Sequence, residues 1–404
     1  MEDSKKPIKV AVTYRVCQHW RVPIFARLSR HPRIQLTVLH GSSVPNTKVT
    51  NGDNLDDIAH VEHWTIKKSG VQWVCHPFIW VTLLRMRPDV ILSEGGSNFF
   101  TNFFVLAYAK LTRTPVVWWT LGELQGKRQL SLPSRIFRAM MQWQERRASV
   151  YLGYSSVALR YFQRMGYPAE RCFRAVNCVD TERVFADIES RQTSVGVLRE
   201  QIGLTDQATT ILFVGALVRS KKIDRLLHAY RSLRDEYPDA RLVIVGDGPD
   251  RSRLEQLAAE LGIAEQTLFA GQVVEQVSDY FEIADVFVLP GLGGLAVSEA
   301  LAHGLPVLCG LGDGCEVDLV RNGESGFRIS SNDDEVVVSA LIEKLKKLLG
   351  QPATLAAMKE NARNVILKEH NVDTYTANVV DAIGYAATGT RELPLPTIQS
   401  FDAD

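Results

Sequence analysis

The sequence predicts an α/β protein made of two doubly wound, largely parallel sheets, and three observations carry that prediction. Short, continuous apolar runs alternate with amphipathic helical stretches. Such strands belong to parallel sheets covered on both faces. The alternation runs once through the first 120 or so residues and starts again near residue 210. In the second series, the runs end in glycine. The length agrees: 404 residues, at roughly 100–200 per domain, make about two domains.

In the first half the predicted strands are "IKVAVTY" (8–14), "IQLTVLH" (34–40), "DVILSE" (89–94) and "PVVWW" (115–119). Between them lie helical patterns such as "PIFARLSR", where Pro23 suits a first helical turn. In the second half the strands are "TILFVG" (210–215), "RLVIVG" (241–246), "DVFVLP" (285–290) and "LPVLCG" (305–310). The segment "ADIESRQTSVG" is polar and without period, so the boundary is expected near 180–205. The expected domains are 1–185 and 205–372, with a helix over about 373–390 crossing back to the first. The prolines and lack of period in the closing segment make 391–404 a loosely held tail. Ligands of such sheets bind beyond the carboxyl ends of the strands, so a cleft between the two domains is the expected site.

Hydrophobic residues make up 46% of the chain, enough for full cores, so a disordered chain is not expected. The formal net charge is zero and gives no general pull toward nucleic acid. The opening "MEDSKKPIKVAVTY" lacks the long apolar stretch of a secretory signal. The most apolar region, from Phe99 to Trp119, is interrupted by Lys110 and Arg113, so no membrane span is expected. The six cysteines form no C-x-x-C pair, and no H-E-x-x-H occurs, so no metal site is expected. They read as incidental thiols in a reducing cytoplasm.

The stretch "VLPGLGGLAVSEALAHGLPVLCG" (288–310) poses the chemical question: why several glycines at a strand end, and a lone acid one turn into an apolar helix? Glycine ends recur at Gly215, at Gly246 and Gly248, and at Gly291, Gly293 and Gly294. Glycine permits close backbone approach, and a following helix start offers free N–H groups to phosphate. A carboxylate there repels phosphate but suits a neutral diol such as ribose, so Glu299 is the candidate ribose acceptor. "VGALVRSKKIDRLL" places Arg219, Lys221 and Lys222 just past a strand end, where a cation stabilises a departing diphosphate. Each feature has a plainer reading as a tight turn, a solvated acid or a charged loop tip.

These segments, followed in order by "VRNGESGF", resemble retaining glycosyltransferases of the GT-B fold, the family-4-like group. The likeness covers about residues 173–330 and takes in "LFAGQV" and "VNCVDTERVF". It implies a GT-B fold of two Rossmann-like domains, an N-terminal one for the acceptor and a C-terminal one for a nucleotide-sugar. It implies that Lys221 contacts the donor diphosphate, that Gly294 and Leu295 offer backbone N–H groups, and that Glu299 binds ribose. Gly215, Arg219, Gly246, Gly248 and Gly293 complete the donor candidates, and Arg21 and Glu94 are the acceptor-side candidates. Two departures stand out. Gly291 occupies the position of the family's first glutamate, and Ala216 that of an arginine, a charge that Arg219 is placed to replace. Where the family has an N-domain histidine this chain has "WWTLGELQGK", which makes Glu123 a candidate for orienting the sugar or taking the acceptor's proton.

The expected activity is therefore retaining glycosyl transfer from a UDP- or GDP-linked sugar to a glycan or lipid-linked acceptor, in surface-polysaccharide synthesis. No cofactor or metal is expected, and no nucleic acid. The alternatives are an epimerase of the same fold and a silent nucleotide-sugar binder. A nicotinamide enzyme lacks its early G-x-G-x-x-G. Residues 127–174 are basic and interleaved with Trp143, Tyr151, Tyr154, Tyr161 and Phe162. Within "SRIFRAMMQWQERR", Ile136, Met140 and Trp143 share one helical face. This region fits either a core-facing stripe with a solvated basic side or contact with an anionic membrane. The expected location is cytoplasmic, at the inner face of the membrane.

Overall fold

Strand formation follows the apolar runs, and the order in which the strands pair decides where a ligand can sit. The computed structural model describes residues 6–47, 49–52, 55–70, 73–123, 131–190, 192–205 and 208–396. They divide into two units, one of residues up to 176 together with those from 373 onward, the other of 177–372.

The first unit contains β1 (Ile8–Thr13), β2 (Ile34–Gly41), β3 (His60–His63), a small hairpin of β4 (Ile66–Lys67) and β5 (Val74–Cys75), then β6 (Val90–Glu94), β7 (Val116–Thr120), β8 (Val150–Gly153) and β9 (Cys172–Arg174). Apart from the hairpin these form one sheet in the order β3-β2-β1-β6-β7-β8-β9, with every pair parallel. The strands are buried on both faces, as Val10, Ala11, Val12, Ile91, Leu92 and Trp118 show. This matches the continuous apolar runs that predicted them. Helix Val372–Thr388 packs here: Asp373 pairs with Arg27, and the ring of Tyr385 meets Phe173 at 5.4 Å.

The second unit has β10 (Thr210–Val214), β11 (Arg241–Val245), β12 (Thr267–Gly271), β13 (Val286–Leu289), β14 (Val307–Cys309) and β15 (Gly326–Arg328). They form a parallel sheet in the order β12-β11-β10-β13-β14-β15. Each sheet thus grows outward in one direction from its first strand and then reverses, the doubly wound order of nucleotide-binding folds.

Three expectations need correction. The aperiodic boundary segment is helical, in helices Thr181–Ser190 and Gln192–Gln201, and the second unit starts at 177. Helix Thr181–Ser190 packs against helices Val277–Glu282 and Ala296–Ala302, and helix Gln192–Gln201 against Val277–Glu282; only Thr181 and Val184 of the first are buried, so polar positions dominate the sequence signal. The start of the tail is held: Arg391 lies 3.9 Å over the Phe173 ring, and Glu392 N–H donates to Asp381. Residues beyond 396 lie outside the described residues. In the basic aromatic region Tyr151, Tyr154, Tyr161 and Phe162 are core residues, whereas Trp143 is exposed.

Candidate functional site

In a doubly wound sheet the connections after the two central strands leave toward opposite faces and open a crevice at the carboxyl edge. In the second unit those strands are β10 and β13. The loop after β10 runs from Gly215 through a short 3-10 turn, Arg219–Lys221, into helix Ile223–Leu233. The loop after β13 carries Gly291 to Leu295 and enters helix Ala296–Ala302. The two loops are laced together. Leu292 N–H donates to Ser220 O at 2.8 Å, and Lys221 Nζ donates to Leu292 O at 2.7 Å and to Gly293 O at 2.9 Å. The Lys221 cation is thereby fixed at the glycine loop, with its tip 3.6 Å from where a Cβ on Gly294 would stand. Among the described residues no protein acceptor is found for the Gly294 and Leu295 N–H groups. These donors and the ammonium together form a cradle for an anion.

Glu299 sits in the first turn of helix Ala296–Ala302 and is half-buried. Burial pushes its carboxyl above its ordinary value, against the pull of His303 and Arg183. No described residue donates a hydrogen bond to that carboxylate, whereas the Glu299 backbone carbonyl accepts from His303 N–H. His303 is a packing residue: it stacks on Phe281 at 5.1 Å, and its Nδ1 is 2.6 Å from Glu282.

The strand-end glycines also answer a steric demand. A Cβ on Gly246 would collide with the Gly215 carbonyl, and one on Gly248 with the Leu217 carbonyl. A Cβ on Gly291 would stand 2.6 Å from the Lys221 carbonyl carbon. Glycine is required because successive loops stack backbone on backbone. Gly293 and Gly294 are looser; a Cβ there would meet Asp313 at 3.4 Å and Lys221 at 3.6 Å. The same packing leaves no room for a side chain at position 291, where the resemblance places the family's first glutamate.

Arg219 is exposed and pairs with Asp250 at 3.1 Å, a carboxylate that Arg253 also holds. Two residues of the site escaped the sequence reading. Arg225 is buried, donates to Pro290 O at 3.2 Å and pairs with Asp334, anchoring the root of the glycine loop. Glu316 is buried and accepts N–H bonds from Gly312 and Gly314, both at 2.9 Å. Its pKa is pushed up to about 7 by burial and by neighbouring Asp313. A glycine-flanked acid in "GDGCEV" was the available signal for Glu316; an arginine inside an apolar helix was the signal for Arg225.

In the first unit the corresponding reversal lies between β1 and β6. Glu94 ends β6, paired in register with Trp119. Glu94 Oε2 and Trp119 Nε1 are buried polar atoms with no hydrogen-bond partner. Burial and the Glu94 charge push the neighbouring Tyr14 hydroxyl up to about 12. Arg21 is not presented to solvent. It is 4% exposed, lies 4.5 Å over the Trp119 ring and 5.2 Å over Tyr154, and bonds the hydroxyls of Tyr14 and Tyr375. Such a cation holds the aromatic floor in place. Glu123 is likewise engaged, with one oxygen on Arg138 and the other 2.8 Å from Arg164. Both its oxygens are thus engaged in ion pairs, one with each arginine. Among the described residues no group of three or more His, Cys, Asp or Glu is placed to hold a metal ion. No helix is long and apolar enough to cross a membrane.

Residues 196–365 match the family described as "Glycosyl transferases group 1". A GDP-mannose-dependent alpha-(1-6)-phosphatidylinositol monomannoside mannosyltransferase of Mycolicibacterium smegmatis is 31% identical over 225 residues, covering 53% of this chain and 55% of that protein. The chain spans about half the length of the curated relatives it matches. Among solved structures, HepE of Anabaena in complex with UDP superposes with a TM-score of 0.71 at 15% identity, covering 93% of this chain and 100% of that one. Sucrose-phosphate synthase of Thermosynechococcus elongatus superposes with a TM-score of 0.73 at 15% identity, covering 95% and 100%. At such identities the likeness is one of fold.

Proposed function

Since residues 196–365 form a group 1 glycosyl transferase domain in a chain of GT-B, Rossmann-like fold, we propose that this protein transfers a sugar from a nucleotide-sugar to a glycan or lipid-linked hydroxyl, with retention at the anomeric carbon. One observation carries the reading. Where β10 and β13 diverge, a fixed ammonium, two N–H groups without a protein acceptor and a carboxylate without a protein donor come together. A nucleoside diphosphate offers the matching set: anionic oxygens for Lys221, Gly294 and Leu295, and a ribose diol for Glu299. The donor's base is uracil or guanine, in keeping with the UDP bound in HepE and the GDP-mannose dependence of the mycobacterial relative.

Breaking the glycosidic bond builds negative charge on the departing diphosphate. Lys221 and the two N–H groups stabilise that charge where it develops. They do so without a metal ion. Because Gly291 bars a side chain, sugar orientation rests on the backbone around Gly293 and on Asp313. On the acceptor side, Glu94 and the Trp119 N–H are the recognition groups, one accepting and one donating to a sugar hydroxyl. Arg21 positions the Trp119 ring beneath them. The role belongs to surface-polysaccharide or lipid-linked glycan synthesis.

The test is calorimetry with UDP and GDP on the wild type and on Glu299→Ala. Losing a charged hydrogen bond costs about 1.5–3 kcal/mol, so affinity for the preferred diphosphate should fall about ten- to a hundredfold. Equal affinity in the two proteins would remove Glu299 from the ribose site. Failure of both nucleotides to bind the wild type would overturn the donor reading as a whole.

A further inference from the structure

Helix Leu132–Glu145 turns its apolar stripe outward. Ile136, Met140 and Trp143, spaced at one helical face, are 55%, 42% and 48% exposed. An apolar stripe is normally the side a helix buries. The stripe continues beyond the helix as a series of touching rings. Trp143 meets Phe103 at 6.0 Å, Phe103 meets Phe99 at 5.3 Å, Phe99 meets Phe100 at 5.1 Å, and Phe100 meets Trp73 at 5.4 Å. Phe137 leans on the same Phe99 at 4.7 Å. Trp73, Phe100 and Phe137 are themselves exposed. The apolar surface therefore extends over several elements of the first unit rather than occupying one isolated position.

Charge selects what covers it. From Trp64 to Arg147 the chain holds twelve Lys or Arg and four Asp or Glu. Of those acids Glu145 is buried and Glu123 is paired with two arginines; among the described residues of this span nine Lys or Arg are exposed against one acid, Asp89, so the exposed balance is positive. Arg135, Arg146 and Arg147 are exposed around the stripe, and Arg147 stacks on Trp143, 3.4 Å from the ring centre. Apolar and indole side chains within a basic rim match the boundary between lipid headgroups and acyl chains. A protein partner would need acidic residues set around an apolar centre. A negatively charged bilayer supplies both chemistries over any length.

We propose that this face, the outer side of helix Leu132–Glu145 together with the ring series to Trp73, seats the protein on the surface of an anionic lipid bilayer. The seat is peripheral, with Ile136, Met140 and Trp143 entering the interface and the arginines at the headgroups. The proposal stands apart from the transfer reading, because its measurement is attachment and not activity.

The experiment is co-sedimentation of the full chain with vesicles of phosphatidylcholine alone and of phosphatidylcholine mixed equally with phosphatidylglycerol. Attachment to the mixed vesicles only is expected, weakening as salt rises from about 0.1 M to 0.5 M. The triple variant I136S/M140S/W143S should lose it, with nucleotide affinity unchanged as a check on folding. A second variant, R135Q/R146Q, keeps the stripe and should weaken attachment about fivefold per arginine. Equal attachment to both vesicle types, or to neither, overturns the proposal. So does a dimer in sedimentation equilibrium that the triple variant dissociates, which would make this face a contact between copies.

Discussion

Replacing Gly291 by alanine adds one methyl group at the point where the loop after β13 crosses the loop after β10. The added carbon would stand 2.6 Å from the Lys221 carbonyl carbon and 2.7 Å from its oxygen, against 3.4 Å or more for ordinary contact. The shortfall at that carbon is about 0.8 Å, the Ser220 carbonyl oxygen would stand closer still, and the obstructing atoms are backbone, which cannot swing aside as a side-chain tip can. Overpacking of this kind costs about 1–3 kcal/mol. At about 2–4 °C per kcal/mol for a unit of this size, the unfolding transition of the second unit should fall by about 2–12 °C. The displaced backbone is that of Ser220 and Lys221, so the bond from Leu292 N–H to Ser220 and those from Lys221 Nζ to the glycine loop are strained together. Nucleotide diphosphate affinity should therefore drop along with stability. Gly294→Ala is the control: its methyl meets only the Lys221 ammonium at 3.6 Å, so stability should stay within about 0.5 kcal/mol. Differential scanning calorimetry and nucleotide titration of both variants decide the matter. Gly291→Ala melting with the wild type, or both variants falling equally, would refute the argument that backbone stacking selects glycine at 291.

Lys221→Ala should lower kcat about a hundredfold, as loss of a donor aimed at developing charge does, while costing only about 1 kcal/mol in a urea titration; turnover at the wild-type rate on saturating donor would remove Lys221 from the reaction. His76 is fully buried, both its ring nitrogens lack partners, and burial with nearby His63 and His40 lowers its pKa from 6.5 to about 3. A depressed histidine is neutral in the fold, so its stability contribution is complete above pH 6.5 and is lost as pH falls toward 3; at pH 5 the loss is about 2 kcal/mol. His76→Leu should abolish that part of the slope in denaturant titrations at pH 7 and pH 5, and an unchanged slope would contradict it. Glu316, raised from 4.5 to about 7, works in the opposite sense. Its favourable contribution is complete below pH 4.5 and is lost as pH rises through 7, by about 1.4 kcal/mol per unit over that window. Comparing Glu316→Gln with the wild type at pH 5.5 and pH 8 should show the variant relatively more stable at the higher pH, and an equal difference at both would exclude an elevated pKa.

Periodicity alone determined a good deal of this protein. The continuous apolar runs at 8–14, 89–94, 210–215 and 285–290 become central strands because a strand buried on both faces leaves no polar positions to blur the pattern. Lys221, Gly294 and Glu299 were legible as a group because each lies just past a strand end, and the doubly wound order brings strand ends together. Short edge strands such as His60–His63 and Cys172–Arg174 carried too few residues to show a period. Tertiary structure alone decided the rest. A period states that a helix has two faces, not which one is covered, so the outward stripe of Ile136, Met140 and Trp143 read equally well as core. Gly246 and Gly291 looked like parts of a phosphate loop, yet their first requirement is the backbone of residues 215 and 221, which no local window contains. Arg21 and Glu123 looked available because charge is written in the sequence but its partners are not. Tyr14, Trp119 and Tyr375 enclose the one, and Arg138 and Arg164 hold the other. Local order follows from short-range sterics and patterning, whereas the availability of a charged group depends on neighbours brought to it across the fold.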